Sequence, residues 1–457
     1  MVIQKMADIG MSSSDSMPGQ GALSSALSYL PNPRAVRSKS YTQKIPSSNG
    51  SSHTGGQTVQ ITVPTGPSCG YLNTSLSYLS FTINNKDTSH PIRLDQTGAC
   101  VIHRLDIYSG GSLVEQLDNY NVMVHLFADI QQNSGDRVFG SSIASGAEPL
   151  SEISLSSSDG TLGNAKLTND VVGVLKKGRE IAASGSLRVS IPLVSGVLGP
   201  QLTRYLPLCN MTAGPLRIDV TLAPLGEAFI APNATANYTV SEVEYNAHIV
   251  DISPEAQAMI DSSTPVKFIN SQSYRNFQGT IPQDATTAVT PIAARFSSMN
   301  AVFMCMRSQP IVGDKTAPGL SNRSRATMTD YSLRVGTSIL PNQPIKTGGT
   351  GGEAFTEVMK ALHSVSAINA HTSLLAGQYI VEDAQTEAIR GSFVFALETE
   401  SFSHRSDSVF SGISTLNTPV FVEQRFEKVP DHMVLDCFVS YSTILQVGPD
   451  GVLRSLF

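Results

Sequence analysis

The sequence predicts an all-β protein made of two antiparallel sandwiches in tandem, with a few short helices. Three observations carry that prediction. The strand-and-helix order is laid down twice, the cleanest strands alternate strictly between apolar and polar residues, and the composition is that of a turn-rich β chain. In the first half Gly185-Ser186-Leu187 opens one strand, Gly214-Pro215-Leu216 opens a second, and residues 243–249 form a third. In the second half Gly391-Ser392-Phe393, Thr418-Pro419-Val420 and residues 437–442 hold the matching places. One short helix precedes each set. The likeness lies in order rather than in residues, as expected of an old duplication. At 457 residues the chain exceeds what one core serves, so two domains are expected. The boundaries fall at 1–56 for an N-terminal arm, partly flexible, 57–262 for the first sandwich and 263–457 for the second.

The arm is rich in Ser, Gly and Pro and buries too little apolar area on its own to offset chain entropy. Residues 34–44 carry Arg34, Arg37, Lys39 and Lys44 with no acid. These four form a candidate basic arm, read as an anchor for nucleic acid or an anionic inner membrane, or else as a solvated tail that packs along a neighbouring subunit. Strands then begin at Val59, Ile61 and Val63. Residues 71–83 follow, with an apolar parity shift between Tyr78 and Leu79 that marks a β-bulge or a change of sheet. Residues 101–108 make the next strand and 113–117 a short return. Asp118 stands at an N-cap position, and Met123, Leu126, Phe127 and Ile130 at helical spacing dock one face on the sheet. Residues 134–184 break periodicity and read as a long loop excursion, functional or at a contact surface.

Three strictly alternating strands follow. Their apolar sets are Leu187, Val189, Ile191 and Leu193, then Leu216, Ile218, Val220 and Leu222, then Val243, Tyr245, Ala247 and Ile249. One face is buried and the other wet, which also fixes register. Ser253, Pro254 and Glu255 are suited to starting a helix that joins the halves. In the second half strands are expected over 268–277, 299–306, 331–340, 393–397, 420–426 and 433–447. Thr350 and Glu353 have capping-box spacing ahead of a helix whose buried stripe is Phe355, Val358, Met359 and Leu362. Pro449-Asp450-Gly451 turns the chain into a last strand.

Charged residues make up only 15% of the chain, which suits a surface largely covered by like neighbours. The net charge of −6 gives the whole molecule no bulk attraction for nucleic acid. The five cysteines, Cys69, Cys100, Cys209, Cys305 and Cys437, are dispersed and odd in number, which points to reduced, buried thiols and a reducing compartment of assembly. No apolar run reaches membrane-span length, and residues 1–8 lack the core of a signal peptide. Catalytic, cofactor-binding and metal sites are all read as none. The sequence holds no nucleophile elbow, zinc-protease helix, Walker loop or EF-hand. His103 and His248 read as structural strand residues, Asp431-His432 as a turn, and glycines 348–352 as the loop that leads into a helix.

In this order and spacing the chain resembles the double jelly-roll major capsid proteins of the adenovirus-like, virophage and Polinton-like DNA viruses. The passages that carry the likeness are residues 98–111, 118–122, 191–193 and 205–208 leading into 216–219, within a likeness spanning about 57–457. The resemblance implies two eight-stranded jelly rolls standing side by side. Three chains would form a pseudo-hexagonal homotrimer that tiles an icosahedral shell around a DNA genome. It further implies no enzymatic activity, a place in the virion, penton and minor capsid proteins as partners, and a weak contact of the arm with genome or inner membrane. Insertions at 134–184 and 307–329 would build towers or inter-subunit clasps, though so compact a chain argues against tall towers. The alternatives are a tandem jelly-roll coat protein of an RNA virus, a carbohydrate-binding β-sandwich, and a pentameric vertex protein. Absence of Trp and of a carboxylate pair weighs against the carbohydrate reading.

Overall fold

The computed structural model describes residues 36–153, 174–200, 202, 204–231, 236–315, 319–365, 372–380, 391–401 and 410–457. Its framework is sixteen strands, numbered here in chain order. In the first half these are β1 (Ser38–Pro46), β2 (Thr58–Val63), β3 (Tyr71–Asn85), β4 (Ile102–Ser109), β5 (Ser112–Asp118), β6 (Ser186–Ile191), β7 (Leu216–Leu222) and β8 (Tyr238–Ile252). In the second half they are β9 (Lys267–Ile281), β10 (Thr287–Ile292), β11 (Met299–Ser308), β12 (Met328–Val335), β13 (Ser338–Lys346), β14 (Phe395–Glu398), β15 (Val420–Phe426) and β16 (Met433–Val447). The first half forms two sheets, β1-β8-β3-β6 and β2-β7-β4-β5. The second forms β9-β16-β11-β14 and β10-β15-β12-β13. Adding eight to each label of the first pair of sheets gives the second pair, and every pairing among these strands is antiparallel. The helix slots match as well. Helix α1 (Tyr120–Gln131) lies between β5 and β6, and α3 (Gly352–Ala361) lies between β13 and β14. Between the halves α2 (Pro254–Ser263) starts as expected, with Ser253 Oγ accepting from the Ala256 amide and Pro254 in its first turn.

Alternation builds each core. Leu79, Phe81 and Ile83 of β3 face Val189 and Ile191 of β6 and Tyr245, Ala247 and Ile249 of β8, all buried. The second core takes Val302, Met304 and Met306 of β11 with Leu435, Cys437 and Val439 of β16. β11 differs from the textile of one wet face and one dry face: all ten of its residues are buried. Its other face, Ala301, Phe303 and Cys305, joins the core of the first sandwich. A strand with a core on both sides has no reason to alternate.

Several elements differ from the sequence expectation, each for a physical reason. The arm does not extend to residue 56. Ser38–Pro46 is β1, paired with β8 over its whole length from Ser38↔Ile252 to Pro46↔Glu244, and Ser52–Thr54 also pairs with β8. Among the nine residues of β1 only Ile45 is buried, so this edge strand has almost no apolar set to announce it. The expected bulge exists but sits earlier: Asn73 pairs with His248 and Tyr78 with Asn246, leaving residues 74–77 opposite Ala247. Ser77 Oγ stabilises it by accepting from the His248 amide at 3.0 Å and donating to the Asn73 carbonyl at 2.7 Å. Asp118 ends β5 rather than capping α1; the N-cap is Asn119, in the left-handed region at φ 49°. Likewise Gly351 at φ 70°, not Thr350, caps α3 with no side-chain bond.

The stretch 134–184 is not a featureless loop. It holds helical turns over residues 134–145 and the hairpin Ala147–Ile153 with Val174–Gly178, while Glu180–Ile181 pairs with Ile92–Leu94. Residues 154–173 lie outside the described ones. Residues 331–340 hold the end of one strand and the start of the next, separated by a turn at Gly336, whose φ of +60° suits glycine. β10 was not expected at all, being short, half-exposed and interrupted by Pro291.

Candidate assembly surfaces and the seam between the sandwiches

The two sandwiches share one seam, and α1 is its centre. Helix α1 is buried on nearly every side rather than along one stripe. Its Phe127 ring lies 5.1 Å from Tyr274 of β9 and 5.1 Å from Phe303 of β11. Four buried acids tie the halves together around this contact. Asp436 of β16 takes two bonds from Arg307 (Nε 3.0 Å, Nη2 2.7 Å) and one from Asn119 Nδ2 at 3.0 Å. Asp129 of α1 accepts from Gln96 Nε2 at 2.9 Å and Arg137 Nη1 at 3.0 Å, and pairs with Arg323 from the second half. Asp95 accepts from the Leu320 amide at 2.7 Å and from Ser321 Oγ at 2.5 Å. Glu115 of β5 accepts from the Gly196 amide at 2.7 Å and from the hydroxyls of Ser195 and Ser273. Burial pushes the Glu115 carboxyl above the usual range despite these bonds.

Within the stretch 307–329, expected to build towers or inter-subunit clasps, the described residues Leu320, Ser321 and Arg323 bond to Asp95 and Asp129 of the first sandwich in the same chain. At the rim of the seam His103 Nδ1 lies 3.0 Å from Glu227 Oε2, which raises its pKa. These two groups line a polar cleft of about 550 Å³ together with Arg307 and Asn119. The five cysteines are free thiols, four of them buried. Burial raises Cys100 and Cys437 well above the ordinary thiol value and Cys305 up to about 12, so these sulfurs are inert.

Of the four candidate arm cations, Arg34 lies outside the described residues. Arg37, Lys39 and Lys44 are exposed on or beside β1, but they do not form an unopposed basic patch. Lys39 is paired across the strands with Asp251, and Lys44 Nζ lies 3.7 Å from Glu244 Oε2. The acids come from β8, far along the chain, which is why the local sequence read as purely basic. The outer sheet of the second sandwich carries exposed apolar side chains that the sequence did not single out, Val289 of β10 and Ile339 of β13. They flank a recess of about 220 Å³ that also holds Asp330, Glu423 and Arg425. Among the described residues no three His, Cys, Asp or Glu side chains converge as a metal site, and no helix is long and apolar enough to cross a membrane.

No family model and no curated relative matches the chain. Solved structures do. PBCV-1 VP54, fitted into a reconstruction of the virophage Sputnik, superposes with a TM-score of 0.58 at 9% identity, covering 94% of this chain and all (100%) of that one. The Faustovirus major capsid protein gives 0.58 at 9% identity, covering 93% of this chain and 92% of its own. The fold is the double jelly roll. The mavirus major capsid protein shares it at a TM-score of 0.51 and 12% identity, over 98% of this chain and 95% of that chain. With likeness over nearly the full length of both partners, the two jelly rolls and their tandem order correspond as a unit.

Proposed function

We propose that this chain is a major capsid protein, which self-assembles as pseudo-hexagonal trimers that tile an icosahedral virus shell around a DNA genome. The observation that carries the reading is the strand-for-strand repeat of one jelly roll, locked to its copy through a buried seam. Two equal lobes held in fixed relation give a threefold cluster six similar corners, which is what a hexagonal tile requires. The whole-length likeness to proteins named as major capsid proteins supports it. The division into sandwiches at about residue 262, the first beginning at β1, follows from the same repeat.

Function then lies in surfaces rather than in a reaction, and the chain is read as no enzyme. Many weak contacts between copies add up in the shell. Exposed Val289 and Ile339 are suited to being covered by the next copy. The virion is the proposed location, and five unpaired thiols fit assembly in a reducing compartment. Penton and minor capsid proteins are the further partners. The cations of β1, each facing an acid, support only a weak contact with genome or inner membrane.

Electron microscopy of the purified, assembled protein tests the reading. Capsomers with a six-cornered outline and threefold symmetry are expected. Fivefold capsomers, or monomers that bind glycans tightly and saturably, would overturn it.

A further inference from the structure

An apolar groove of about 380 Å³ lies beside α2, where the two sandwiches meet. Its lining includes Val250 and Ile252 of β8, Ile260 of α2, and Phe268 and Ile269 of β9. Tyr205 lines it as well, and the Tyr205 and Phe268 side chains are half exposed, at 51% and 50%. Aromatic surface left open in this way is costly in water and marks a place for a ligand. The volume is that of a small-molecule site, and walls of this kind offer water few hydrogen bonds.

The polar groups at the groove decide what charge its occupant carries. The Tyr71 hydroxyl already donates to Gln257 Oε1 at 2.8 Å. Lys267 Nζ donates to Asp261 Oδ1 at 3.0 Å and to the carbonyls of Ile260 and Thr264, so its donors are used. Arg204, which also lines the groove, is different. It is exposed, and among the described residues it has no ion-pair partner. A guanidinium presents a planar fork of donors that a carboxylate meets with two parallel bonds. The complement of this groove is therefore an apolar chain that ends in one carboxylate. A single tail suits the volume better than the paired tails and headgroup of a membrane phospholipid. We propose that the groove binds one free long-chain fatty acid per chain, with its tail against Ile252, Ile260 and Phe268 and its carboxylate on Arg204.

The test titrates the full chain with octanoate, laurate and palmitate below their micelle concentrations, read by calorimetry, with native mass spectrometry for stoichiometry. One molecule per chain is expected. Affinity should rise about fourfold for each methylene that the groove buries, until its length is filled. Arg204→Gln should weaken laurate about tenfold and leave dodecanol, which lacks the charge, unaffected. Phe268→Asp should weaken both by more than tenfold while far-UV circular dichroism stays that of the parent. Binding that does not saturate, several molecules per chain, dodecanol held as tightly as laurate, or Arg204→Gln binding laurate like the parent would overturn the proposal. Flotation of the chain with phosphatidylcholine–phosphatidylglycerol vesicles, lost in Phe268→Asp, would overturn it too, because the groove would then be a bilayer contact.

Discussion

Asp95, Glu115, Asp129 and Asp436 are all buried at the junction of the two sandwiches, each reached by at least one donor from the other half of the chain. A buried carboxylate is tolerated only when its partners are in place, so these acids act less as glue than as a penalty on any other arrangement of the lobes. Arg307→Met removes the two guanidinium bonds to Asp436 and leaves the acid with amide donors alone. Urea unfolding should show a loss of about 3–5 kcal/mol, and Asp436→Asn added to it should restore part of that. His103 gives a pH signature. Glu227 raises its folded pKa, with Asp118 adding to the effect and Arg307 opposing it. Its contribution is complete below the unfolded value of about 6.5 and fades as pH rises through the higher folded one. Stability followed from slightly acid to alkaline pH should therefore decline, and His103→Gln should flatten that slope; identical slopes would refute the assignment. Asp129 and Arg137 stand eight residues apart, but the partners that cross the seam are not visible locally in the sequence, because each such pair joins residues far apart in the chain.

At the scale of elements, legibility followed burial. β6, β7 and β8 have one dry face and one wet face, and their alternation showed both position and register. β1 is the opposite case, a strand of the sandwich with a single buried residue, and it passed for a tail. Helix α1 was visible as a helix through Met123, Leu126, Phe127 and Ile130, yet its burial on nearly every side was not, since nothing local shows that a second sandwich closes over it. That placement has a consequence. If α1 and β11 belong to both cores, the sandwiches should unfold together. Phe127→Ala should cost about 3–5 kcal/mol and move one common transition, monitored by tyrosine fluorescence and by calorimetry. Two separate transitions, with the second sandwich unmoved, would show that the seam does not couple them.

For the whole molecule, the repeat of two sandwiches was legible because order and spacing outlast residue identity. The surfaces proposed to lie between copies were not, because exposed apolar groups such as Val289 and Ile339 stand out only once the strand faces are known. Val289→Asp with Ile339→Asp should shift the protein from trimer toward monomer in sedimentation while leaving the far-UV circular dichroism of each chain unchanged, as exposed sites allow. Retained trimers would move the interface elsewhere on the surface. The claim on which the rest depends is that two fused lobes per chain and three chains per cluster make a six-cornered block. Native mass spectrometry of the untagged chain reads the stoichiometry directly: a dominant species of three chains is expected, and a population of monomers or pentamers at assembly concentrations would contradict the account.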